Sequence, residues 1–179
     1  MIYAGIVLVV LVIAIILLIN NIIMLNNRCN NALSQIDTQL KRRYDLIPNL
    51  VEVTKGYAKH ESETLIKIIE KRNDNASLND KAKVSKEVSE SITNLIAKAE
   101  SYPDLKANKI YERLQIELVG TEDKIAFARQ FYNDCVQRFN TKIEVFPNVI
   151  FAKMFKYEKK KYFEVETEEK ENIKVSLWY

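Results

Sequence analysis

The chain has 179 residues, and none of its 27 basic and 24 acidic side chains lies in the first 25 positions. That split predicts one soluble domain of ordinary size behind an apolar leader. With 3 Gly, 3 Pro, 2 Cys and 1 His, the composition leaves little room for glycine-rich phosphate cradles, disulfide frameworks or multi-histidine metal cages.

From Ile2 to Ile19, 18 consecutive residues carry no charge and are almost all Ile, Val or Leu; after Asn20 and Asn21 the stretch resumes through Leu25. At a rise of ~1.5 Å per residue the uninterrupted run covers ~27 Å and the longer one ~36 Å, which brackets a hydrocarbon core of ~30 Å. Residues 1–25 therefore read as a transmembrane anchor. A cleaved signal peptide would carry basic residues ahead of the run and a small-x-small site after it, whereas Asn26-Asn27-Arg28 follows here. Arg28, Lys41, Arg42 and Arg43 all lie after the span, so the N-terminus is expected outside and the soluble domain in the cytoplasm. Cys29 and Cys135 suit that reducing side as small interior residues.

Residues 26–147 read as four amphipathic helices. Cys29, Leu33, Ile36, Leu40 and Ile47 form the first apolar stripe. Pro48 disfavours helical dihedrals at Ile47 and cannot donate its own hydrogen bond, which predicts a break near residues 44–47 with Asp45 capping the next helix. A kinked continuous helix is the alternative, because the apolar register survives across the proline. The second helix carries Leu50, Val53, Tyr57, Leu65 and Ile68, and ends before the loop-like Asn73-Asp74-Asn75-Ala76-Ser77. The third shows Val84, Val88, Ile92, Leu95 and Ala99. The fourth and longest runs from Ile110 through Leu118, Ile125, Tyr132 and Phe139 to Phe146, with Gly120 inside it. The fold class expected is all-α, an N-terminal transmembrane helix followed by an up-and-down four-helix bundle.

In that topology the fourth helix returns toward the bilayer, and residues 148–179 begin there. Phe151, Phe155 and Tyr157 are interleaved with Lys153, Lys156, Lys159, Lys160 and Lys161, the composition of an interfacial segment that seeks anionic lipid. A solvated lysine run beside an apolar cap on the bundle gives the same pattern. Glu164 to Tyr179 is acidic and then mildly alternating (Ile173, Val175, Leu177), a short strand or a frayed tail.

Chemistry-bearing constellations are sparse. His60 is followed by Glu61 and Glu63, but position 64 is Thr where a zinc-protease helix needs a second His, and position 57 is Tyr where a di-iron bundle needs Glu. No metal, cofactor or catalytic residue is expected, and the protein is read as a non-enzyme. Lys41, Arg42, Arg43 and Asp45 form a candidate interaction surface for an acidic partner or a phosphate; cations complementing a helix C-terminus are the simpler reading. A net charge of only +3, with basic and acidic residues mixed along every helix, argues against nucleic acid.

The stretch Ser34-Gln35-Ile36-Asp37-Thr38-Gln39-Leu40-Lys41-Arg42-Arg43-Tyr44-Asp45-Leu46-Ile47-Pro48-Asn49-Leu50-Val51, followed by Lys55-Gly56-Tyr57-Ala58-Lys59-His60-Glu61, closely resembles the LemA family of bacterial membrane proteins. The likeness resumes at Tyr102-Pro103-Asp104-Leu105-Lys106-Ala107-Asn108, at Thr121 to Arg129, and from Tyr132-Asn133-Asp134 through Phe139-Asn140 to Phe146-Pro147, so that it covers roughly residues 22–157. The resemblance implies a single span with the N-terminus outside, a four-helix bundle within the bacterial cell, and no established enzymatic activity. It also implies, by association, a scaffold or a partner of a membrane protease. Family members often carry an aromatic residue where this chain has Leu33, and a Gly-containing turn near Lys153-Met154-Phe155.

The function expected is a non-catalytic scaffold or adaptor in the bacterial inner membrane, with the lipid bilayer and further copies of itself as partners. The alternatives are an accessory subunit of a membrane metalloprotease and, from another class, a membrane-anchored sensor bundle.

Overall fold

A computed structural model describes residues 2–70, 73 and 76–164. Six helices follow in chain order: α1 (Ile2–Thr54), α2 (Lys59–Glu70), α3 (Leu78–Ala99), α4 (Pro103–Lys106), α5 (Lys109–Glu144) and α6 (Asn148–Met154). The described residues contain no strand. The expected tail after Glu164 lies outside them.

The expected break at residues 44–47 does not occur. α1 is one helix of 53 residues that runs through Pro48, and Asp45 is an interior position of it, not a cap. The reason is packing. Cys29, Ala32, Ile36, Leu40, Tyr44, Ile47, Leu50, Val51 and Thr54 are buried along one continuous stripe of α1, and breaking the helix would sacrifice that register. A helical proline costs about 3 kcal/mol, less than burying two or three such side chains contributes at ~1.5–3 kcal/mol each. Pro48 itself faces solvent. The chain turns later, at Lys55-Gly56-Tyr57, where the amides of Tyr57 and Ala58 both reach the Thr54 carbonyl at 2.9 Å. Leu50 and Val53, expected in the second helix, thus belong to the first.

Side chains at the other helix starts follow local chemistry. Ser77 caps α3, accepting from the Asp80 amide at 3.2 Å while its hydroxyl donates to the Asp80 carboxylate at 2.7 Å. Asn108 caps α5 by accepting from the amides of Ile110 and Tyr111 at 2.9 and 3.4 Å. α5 then continues unbroken across Gly120 for 36 residues.

Cross-helix contacts fix the directions. The Arg28 guanidinium lies over the Phe131 ring, 5.5 Å from its centroid, and Arg43 pairs with Glu122, so α1 and α5 run antiparallel. Lys81 bonds Asp37 at 2.9 Å and Ser85 bonds Arg43 at 2.9 Å, so α3 runs parallel to α1. α2 packs on α1 and α3 and is stitched to the end of α1 by a 3.0 Å contact between the Thr54 and Ser62 hydroxyls. Ile36, Ile47, Leu50, Val88, Leu95, Leu118 and Phe139 fill the centre.

The first part of α1 has no such partners. An 18-residue window of it reaches a mean hydropathy of 3.4 with none of its residues buried, which makes α1 long and apolar enough to cross a membrane. Burial on α1 begins at Ile22. With Arg28 over Phe131, the antiparallel register brings the last third of α5 to about that level, and α6 packs against both α1 and α5.

Candidate functional site

The basic run after the span divides on folding. Lys41, Arg42 and Asp45 are exposed, but Arg43 is 0% exposed. Position 43 falls on the buried stripe of α1, between Leu40 and Ile47, and α3 and α5 supply its partners. The guanidinium donates to the hydroxyls of Ser85 and Ser89, both at 2.9 Å, to the Ser85 carbonyl at 3.1 Å, and to the Glu122 carboxylate. Ser89 in turn donates to the second Glu122 oxygen at 2.9 Å. Only Nε of Arg43 lacks a partner. Arg43 therefore pins three helices together and presents no charge to a partner, which leaves Lys41, Arg42 and Asp45 as the outward-facing members of that candidate surface.

The C-terminal lysines and aromatics occupy two structural settings. α6 forms a foot beside the apolar end of the bundle, where Phe146, Ile150, Met154 and Phe155 are more than half exposed, Phe146 at 79%. Lys153 and Lys156 are exposed beside them, and Phe151 is half-buried against the core. At Lys156 the chain turns through a positive φ of 56°. The Tyr157 amide bonds the Ala152 carbonyl at 2.9 Å and the Lys156 amide bonds Lys153 at 3.1 Å, a Schellman-type C-cap with lysine where glycine is usual.

Beyond that turn, residues 157–163 form a strap laid back along α5. Asn140 donates to the Lys160 carbonyl and accepts from the Lys160 amide, both at 2.9 Å. Asn133 repeats the pattern on Phe163, accepting at 2.8 Å and donating at 3.4 Å. The Tyr132 hydroxyl donates to the Lys161 carbonyl at 2.9 Å; burial, and secondly the nearby Cys29 thiol, push that phenol up to about 12. Tyr157 meets Phe139 edge-on with centroids 5.9 Å apart, and Phe163 is 2% exposed. The Lys160 ammonium bonds Asn30 at 3.0 Å and lies over Phe139, and Lys159 pairs with Glu144. Of the lysines expected to face lipid, Lys159 and Lys160 thus hold the strap to the body, while Lys161 remains exposed.

Sequence reasoning passed over Asn133 and Asn140. Their signal was available: they lie seven positions apart on the helix, flanking the apolar positions Tyr132, Val136 and Phe139, and a repeated amide at the margin of a core stripe asks for a backbone partner. Among the described residues, no group of three or more His, Cys, Asp or Glu is placed to hold a metal ion. Cys29 and Cys135 are both free and buried, and His60 is exposed on α2.

The chain matches the model of the LemA family over residues 32–177. Among curated proteins it is 30% identical over 131 residues to "Protein LemA" of Metamycoplasma hominis, a match that takes in 71% of this chain and 60% of that protein. The match therefore spans about three fifths of that relative's length.

Proposed function

The chain belongs to the LemA family, and from that premise we propose that it is a non-catalytic, single-pass scaffold or adaptor of the bacterial inner membrane. Its helices act as an up-and-down four-helix bundle on the cytoplasmic side, and copies associate with one another. The observation that carries this reading is the continuity of α1. The apolar run and the buried stripe are parts of one 53-residue helix, about 80 Å long at 1.5 Å per residue, so any surface on the bundle is held at a set height above the bilayer. A hinge between anchor and domain would have uncoupled the two.

Two further features support it. The cations after the span, Arg28, Lys41 and Arg42, are exposed, as the bias toward basic cytoplasmic flanks requires. The foot formed by Phe146, Ile150, Met154 and Phe155, with Lys153 and Lys156 beside it, sits where α1 becomes apolar and suits a headgroup layer with anionic lipid.

Cross-linking the intact protein in its native membrane, followed by mass measurement, tests the proposal. Species at multiples of the chain mass are expected. Recovery of uncross-linked chain alone, from membranes in which a known oligomer is captured, overturns the scaffold reading.

A further inference from the structure

α5 keeps one face that no other described part of the chain covers. Glu112, Asp123 and Asp134 recur every 11 residues along it, and Ile116 and Phe127 recur at the same interval. Eleven residues make almost a whole number of helical turns, so these positions stay on one line instead of winding around the helix. That line lies opposite the buried stripe through Leu118, Ile125 and Tyr132. All five residues are exposed; Ile116, Val119 and Phe127 are more than half exposed, Phe127 at 72%. Gly120 lies beside them with no atom near enough to meet an added Cβ, so the face is open there. Among the described residues none of the three carboxylates enters an ion pair. Next to Phe127 an open hollow of about 400 Å³ runs between α5 and α1, lined in part by Thr38 and Gln39, and the Gln39 Oε1 atom is buried without a hydrogen-bond donor. A single exposed apolar side chain needs no explanation. Three along one face, framed by unpaired acids and a hollow with an orphaned acceptor, make a docking surface.

We propose that this face receives a basic amphipathic helix, the cytoplasmic continuation of another membrane protein's span. The proposal rests on the membrane-anchored adaptor reading above and gives the adaptor its partner surface. Two arguments choose this occupant. The first is charge. A helix laid along α5 with Lys or Arg opposite Glu112, Asp123 and Asp134, and with apolar side chains opposite Ile116 and Phe127, matches the face in register. A second copy does not match it. Chains held in one membrane in one orientation carry these acids at the same height, so a symmetric pair through this face sets each carboxylate against its duplicate. The second argument is place. Residues 112–134 cover ~33 Å of helix axis, and the pairing of Phe131 with Arg28 and of Glu122 with Arg43 runs that length alongside α1 as it leaves the span. Lys and Arg concentrate in the cytoplasmic flanks of membrane spans, so a neighbouring span that continues as a helix brings its basic residues beside this face. The hollow next to Phe127 admits one of its side chains, and a donor there meets the Gln39 amide.

The test uses two helical peptide probes with the same leucine positions, one carrying Lys at the spacing of Glu112, Asp123 and Asp134 and the other carrying Glu there. Binding to the full-length protein in nanodiscs of zwitterionic lipid is read by fluorescence anisotropy. The Lys probe is expected to bind and the Glu probe to stay free. Phe127→Ser is expected to weaken the Lys probe about tenfold, and Asp123→Lys combined with Asp134→Lys to reverse the preference between the probes. Equal binding of the two probes, no binding of the Lys probe, or an affinity indifferent to these substitutions overturns the proposal. In native membranes, a photoreactive residue at position 127 is expected to join a second protein through a Lys- or Arg-rich segment next to a span, and to lose that adduct in the doubly substituted chain. An adduct at twice the chain mass, or none, overturns it. Multimers of the chain are expected to persist in the Phe127→Ser protein, so self-association and this docking face fail separately.

Discussion

Asn140 holds Lys160 from both sides of one peptide unit, donating to its carbonyl and accepting from its amide at 2.9 Å each. With Asn133 doing the same at Phe163, a short non-helical segment is fastened to a long helix without a sheet. The helix backbone has no free donors or acceptors in its interior, so side-chain amides are the means by which it can pair with a strand.

Replacing either asparagine with Ala removes two bonds to strap peptide groups. Each substitution is expected to destabilise the docked strap by about 1–2 kcal/mol. Hydrogen exchange should show faster exchange at Lys160 after Asn140→Ala and at Phe163 after Asn133→Ala, with α1 and α5 protected as before.

The Arg43 centre gives a second expectation. Glu122→Ala leaves a guanidinium with 0% exposure without its counter-charge, held by Ser85, Ser89 and the Tyr44 ring, and should cost about 2 kcal/mol. That is at or below the usual cost for a broken buried pair, because Glu122 is 46% exposed and water reaches the vacated position. Arg43→Met combined with Glu122→Gln should recover most of the loss, read as the midpoint of thermal unfolding in detergent.

Lys156→Gly relieves the positive φ at the turn into the strap. Glycine adopts this conformation freely, though its looser unfolded chain offsets part of the gain. A net stabilisation of about 0.5–1 kcal/mol is expected, or roughly 1–4 °C in Tm for a chain of this size.

Alkaline pH should loosen the strap. Burial, followed by the influence of Cys29, raises the Tyr132 phenol to about 12 from its ordinary value of 10, so the folded protein keeps a proton that the unfolded chain gives up. The stability from this group is fully present below pH 10 and is lost as pH rises from 10 toward 12. Tyr132→Phe should flatten that part of the pH profile, measured by unfolding at a series of pH values, at the expense of the bond to Lys161.

Much of this architecture was legible because helix periodicity is a local signal. The stripes through Ile36 and Leu40, through Val88 and Leu95, and through Leu118 and Phe139 all face inward. What escaped were non-local effects. Pro48 carries a strong local rule for a break, and the packing of the surrounding stripe overrides it. Arg43 reads as one of three surface cations beside Lys41 and Arg42, yet the helical period carries it to the inner face, where Ser85 and Glu122 await it from 42 and 79 residues away. Lys159 and Lys160 look like headgroup ligands by composition, and their partners Glu144, Asn140 and Asn30 come from other helices.

The proposal that α1 carries the bundle on a membrane-embedded stem, with the α6 foot at the lipid surface, is open to a depth measurement. Its most direct test places a fluorescent label, one position at a time, at Leu8, Ile150 and Asp45 of the intact protein in bilayers and measures quenching by lipids brominated at known depths and by an aqueous quencher. Leu8 is expected to be quenched from the hydrocarbon, Ile150 at the headgroup level, and Asp45 only from water on the cytoplasmic face. Equal aqueous quenching at Leu8 and Asp45 would contradict it.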